Sequence, residues 1–197
     1  LRAAAAPRTV HIATLPAIAQ LWLSPRLPAL RAAALLLLLP LVAMQFTDEV
    51  DWDLFDFVVM GILLGGACAA YELGARLSGH WAYRGGFAVA ILGGFLLTWV
   101  NLAVGIVGNE DNPVNLLFFA ILIVGAIAAP LGRFRARGMA RAMQATAIAQ
   151  GLVTAYIAIA GHGYTFVLAG FFIALWLSAA HLFLRAEEDA AMASAGS

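Results

Sequence analysis

Apolar residues along this chain neither alternate nor recur only at intervals of three and four; they come in nearly unbroken runs. Six runs cover residues 30–46, 54–73, 86–107, 114–131, 142–160 and 164–184, each bounded by charges or turn-forming residues. A soluble helix carries one apolar stripe that faces a core, whereas these segments are apolar nearly all round. A spanning helix needs roughly 20 residues to cross about 30 Å of hydrocarbon. The pattern therefore predicts an all-α fold, a polytopic transmembrane helical bundle of about six spans occupying residues 30–185.

The first run is the weakest, because it is short and carries Pro40 near its middle. A signal-peptide reading is rejected, since Leu41-Val42-Ala43-Met44 lacks the small-x-small cleavage pattern. A proline kink is tolerated inside a membrane bundle when neighbours satisfy the freed backbone groups.

Composition sharpens the picture. Of the 197 residues 63% are apolar and 11% charged, and the mean hydropathy is +0.92, far from a soluble domain. The single cysteine, Cys68, excludes a disulfide framework or a cysteine metal cluster built from this chain alone. There is no basic domain to bind nucleic acid.

Charge position sets the expected orientation. All eleven basic residues are arginines: Arg2, Arg8, Arg26 and Arg31 precede the first span, Arg76 and Arg84 flank one loop, Arg133, Arg135, Arg137 and Arg141 fill another, and Arg185 follows the last span. By the positive-inside rule these segments are cytoplasmic, which gives N-in/C-in. The opposite side receives Asp48, Glu49, Asp51, Asp53 and Asp56 in one segment and Glu110 and Asp111 in another. Residues 1–29, interrupted by Pro7, Pro16, Pro25 and Pro28, read as a cytoplasmic arm, partly disordered or interfacial. Residues 186–197 read as a frayed helix and then a disordered cytoplasmic tail.

Helices in lipid associate through close packing of small residues and through hydrogen bonds. Candidate packing faces at spacing four are Gly61, Gly65 and Ala69, the adjacent Gly66, Ala70 and Gly74, then Gly86, Ala90 and Gly94, and Ala147, Gly151 and Ala155. Beside the last runs a polar stripe, Thr146, Gln150 and Thr154, which should point inward. It reads either as a hydrophilic path or as interhelical hydrogen-bond glue, the second being the commoner use.

The seven outer acids form a candidate acidic surface, since hard cations prefer oxygen ligands. Their spacing matches no calcium loop, and Asp53 suits a helix cap while Asp56 complements the helix dipole. In Gly108-Asn109-Glu110-Asp111-Asn112-Pro113 the turn chemistry puts Asn112 at an N-cap and Pro113 at the first helical position. Asn101, placed about 9 Å inside the outer end of its span, is a candidate for an interhelical hydrogen bond or a ligand contact. Glu72 is the one acid well inside an apolar run, which makes it a functional candidate; Arg76, four residues on, explains it as an ion pair.

His11, His80, His162 and His181 make no metal or haem spacing, and no cofactor is implied. No nucleophile–base pair, phosphate loop or zinc motif is present, so an enzyme is not the expectation. The cluster at Arg133, Arg135, Arg137 and Arg141 is suited to anionic lipid headgroups.

At Thr47-Asp48-Glu49-Val50-Asp51-Trp52, Gly108-Asn109-Glu110-Asp111-Asn112-Pro113 and Arg133-Phe134-Arg135-Ala136-Arg137-Gly138-Met139-Ala140-Arg141 the chain resembles a class of small polytopic inner-membrane proteins of proteobacteria with no established activity. The resemblance covers roughly residues 32–185 and implies a bacterial inner membrane, without carrying over any catalytic residue. The expected function is that of an accessory or assembly subunit of a larger membrane complex, with membrane lipids and other membrane-protein subunits as partners. The alternative is a small cation or proton transporter or channel.

Overall fold

The computed structural model describes residues 27–47 and 51–196. The arm up to residue 26, including His11 and three of its arginines, and the acids Asp48 and Glu49 lie outside the described residues. Among these residues every regular element is helical: α1 (Leu27–Ala43), α2 (Leu54–Leu77), α3 (Trp81–Ala103), a 3-10 turn at Pro113–Asn115, α4 (Leu116–Leu131), α5 (Ala136–Ile159) and α6 (Phe166–Ala195). Helices α2 to α6, with the 3-10 turn prefixed to α4, are each long and apolar enough to cross a membrane. The chain is a multi-pass integral membrane protein. The first predicted span is the exception: α1 has 17 residues with Pro40 inside it, which at 1.5 Å per residue gives about 25 Å, short of the roughly 30 Å hydrocarbon.

The chain forms two compact units, Leu1–Gly61 and Ile62–Ser197, so that α2 starts in the first and ends in the second. In the first unit α2 opens with a reciprocal cap. The Asp56 amide donates to Asp53 Oδ1 at 2.9 Å and the Asp53 amide to Asp56 Oδ2 at 3.0 Å, the capping box that satisfies two otherwise orphaned donors.

In the second unit α6 packs on both α3 and α5, and α5 packs on α4. The contacts are built by glycines on one helix receiving large side chains of the next. A Cβ on Gly86 would stand 3.1 Å from the ring of Phe183, and one on Gly93 2.9 Å from Trp176. Both of those aromatic side chains are buried, and Phe183 meets Tyr83 and Phe87 edge-on with centroids 5.2 and 5.7 Å apart. Between α4 and α5, Gly125 takes Thr146, whose Oγ1 would lie 2.8 Å from an added Cβ.

Two helix ends differ from the predicted spans. The third span ends at Ala103 rather than near residue 107, because the chain turns off the helix through Gly105 at φ +69°, where a side chain would run into the Asn109 backbone. The last helix does not give way to a disordered tail after Arg185. It continues to Ala195, and Glu187 and Asp189 on this extension pair with Arg137 and His80.

Candidate functional site

A cleft of about 950 Å³ opens where the helices end on their arginine-bearing side. It lies between the end of α2 at Leu77, the start of α3 at Tyr83, the α4–α5 linker and residues 186–190 of α6. Its shape depends on that linker. Gly132 and Gly138 touch backbone to backbone, a Cβ on Gly132 falling 2.7 Å from the Gly138 Cα, so neither position accepts a side chain. To make this reversal Arg133 and Phe134 both take left-handed backbone, φ +52° and +53°, at a cost of order 1–3 kcal/mol each for non-glycine residues. The Tyr83 hydroxyl offsets part of it by donating to the Phe134 carbonyl at 2.5 Å.

The linker and the first turns of α5 present Arg133, Arg135, Arg137 and Arg141 to the cleft, all exposed. Arg137 is held by Glu187, Nε lying 2.8 Å from Oε1 and 3.0 Å from Oε2. Among the described residues Arg133, Arg135 and Arg141 are in no ion pair. His80 caps α3, its Nδ1 accepting from the Ala82 amide at 3.3 Å, while its Nε2 lies 3.2 Å from Asp189. The four arginines marked from sequence as a headgroup cluster thus share one cleft, with three guanidinium groups free to take an anion.

A second cavity, about 470 Å³ and mostly apolar, lies within the membrane-spanning part. Gly66 and Ala70 of α2 form one wall, and Gly94, Thr98, Leu122 and Trp176 contribute to the others. The predicted polar stripe does face inward: Thr146, Gln150 and Thr154 are all buried. The hydrogen bonds it makes run within its own helix. Thr146 and Thr154 donate to the carbonyls of Ala142 and Gln150 in their own helix, at 2.9 and 2.8 Å, and neither amide atom of the buried Gln150 has a partner.

Asn101 lies near the end of α3, two residues before the helix stops. Its Nδ2 donates to the Asn115 carbonyl at 3.0 Å, the inter-element bond expected of it. The centre of this region is Asn115 itself, at the start of the fourth apolar run, which the sequence pattern gives no role. Buried, it accepts from the Ile106 and Val107 amides at 3.1 and 2.9 Å and donates to the carbonyls of Val107 and Asn109 at 3.3 and 2.6 Å. Asn112 caps the 3-10 turn as predicted, accepting from the Val114 amide at 3.0 Å. Glu110 and Asp111 project from this clamped loop, exposed.

Of the outer acids, Asp53 and Asp56 are occupied in capping α2, and Asp51 is exposed just ahead of them. Glu72 pairs with Arg76, the local ion pair that the i,i+4 spacing predicts. Among the described residues no three His, Cys, Asp or Glu side chains gather as metal ligands. Neither a family model, nor a curated protein, nor a solved structure matches this chain.

Proposed function

We propose that this protein works by association, as an accessory or assembly subunit of a larger complex in a bacterial inner membrane. The observation that carries the reading is the isolation of α2. Of its apolar window 11% is buried, against 22% to 39% for the other four spans. Helices in lipid are held by small-residue contacts, and in α3 and α4 Gly86, Gly93 and Gly125 each receive a side chain of a neighbouring helix. On α2 the ridge of Gly66, Ala70 and Gly74 faces its own molecule, Gly74 covered by Phe87 and the other two lining the cavity. The neighbouring ridge has no such neighbour among the described residues of its own unit: Gly65 and Ala69 are exposed, and no described atom lies within 4 Å of where a Cβ would stand on Gly65. A transmembrane helix of another subunit, bearing small residues of its own, fits that ridge.

Transport is the second reading, favoured by the buried, unpartnered Gln150 beside Thr146 and Thr154. Native purification in mild detergent with mass spectrometry separates the two. Association predicts a stoichiometric complex with another integral membrane protein. It also predicts that Gly65→Leu, whose Cβ meets no described residue, loses that partner while melting as wild type. A monomer or homo-oligomer that dissipates an ion gradient in liposomes, with flux abolished by Gln150→Leu, assigns transport instead.

A further inference from the structure

We infer that the arginine cleft is a binding site for the phosphate headgroup of an anionic phospholipid, a site independent of how α2 is used. Three observations converge. First, Arg135 and Arg141 enter the cleft without an ion-pair partner among the described residues, as does Arg133. Glu187 lines the same cleft and is taken up by Arg137, and Asp189 by His80, so these carboxylates of α6 are already engaged with the paired groups. Guanidinium groups crowded within nine residues of sequence repel one another unless an anion is shared among them, and a planar fork matches two phosphate oxygens at once.

Second, the backbone that carries them is fixed. The consecutive left-handed residues Arg133 and Phe134 are held by the Gly132–Gly138 contact and by the Tyr83 hydroxyl. The arginines therefore start from a preorganised frame rather than a loose loop, which lowers the ordering cost of binding.

Third, the cleft opens where the apolar helices end, which is where a headgroup would lie. It is lined by the last residues of α2 and α4, Leu77 and Leu131, and the exposed Trp81 at the start of α3 marks the interface that tryptophan prefers. The cleft has its own apolar flank in Leu77, Leu131 and Phe134, all exposed. A soluble anion uses only the charges; a phospholipid uses both the charges and the apolar flank, and this is why the lipid is the occupant assigned.

The test is titration of the detergent-purified full chain with phosphatidylglycerol and, separately, phosphatidylcholine, read by native mass spectrometry. Retention of phosphatidylglycerol over phosphatidylcholine is expected. The double variant Arg135→Gln, Arg141→Gln should weaken it by roughly tenfold. The charge-matched control Arg84→Gln, Arg185→Gln, at two exposed arginines outside the cleft, should leave it unchanged. Equal loss in both double variants, or no preference between the two lipids, overturns the proposal. Displacement of the lipid by millimolar inorganic phosphate overturns it as well, because the site would then belong to a soluble anion.

Discussion

Asn115 does more for this structure than any other polar residue, because one side chain closes the α3–α4 connection through four hydrogen bonds. Asn115→Ala leaves the amides of Ile106 and Val107 without their acceptor near the membrane, where each orphaned donor costs about 1–3 kcal/mol. A loss of about 2–4 kcal/mol is expected in detergent melting or unfolding, against about 1 kcal/mol for Asn112→Ala, which removes only a cap. Equal effects for the two would show that the clamp is not the stabilising element. What sequence reveals at this scale is local. The Asp53–Asp56 box, the Asn112 cap and the Glu72–Arg76 pair join residues two to four apart, and spacing alone announces them. Asn115 looks from sequence like one more residue of a polar turn, since its partners lie six to nine residues back. The Tyr83 bond to Phe134 spans 51 residues and leaves no trace in either segment.

Helices were legible as apolar runs, but which faces they pack was legible only in part. Small residues at spacing four mark where a close approach is possible, not where it is made. Gly86 does seat Phe183, whereas Gly94 meets only Leu122 at an ordinary 3.8 Å and Gly151 meets nothing within 4 Å. The tighter seats are Gly93, under Trp176, and Gly125, against Thr146; neither stands out in the sequence, because the matching residue sits on another helix. Gly93→Leu should therefore destabilise the bundle by about 1–3 kcal/mol or more through overpacking, while Gly151→Leu should melt as wild type. The reverse ranking in a thermal unfolding series would refute the packing described. Ends of helices were the least legible. Gly105 shortens α3 through its left-handed backbone, and ion pairs to Arg137 and His80 extend α6 past the apolar stretch. An acidic, alanine-rich tail gives no sign of such partners when read alone.

For the whole molecule the central claim is a multi-pass bundle that keeps its arginine-bearing end, with the cleft of Arg133, Arg135, Arg137 and Arg141, on the cytoplasmic side. Five helices are long enough to cross, and the positions of the two chain ends then depend on whether the 17-residue α1 also crosses. Arg31 lies near the start of α1 and Arg185 directly follows the apolar run of α6, so six crossings place every arginine together, and five do not. Single cysteines in a Cys68→Ser background, labelled with a membrane-impermeant thiol reagent in intact cells, decide it. The account predicts labelling near Asn109 and His162, and none near Arg137, near Ser194 or in the segment before α1. Labelling before α1 with the other four as predicted would contradict the sixth crossing, and labelling at Arg137 with protection at Asn109 would contradict the orientation itself.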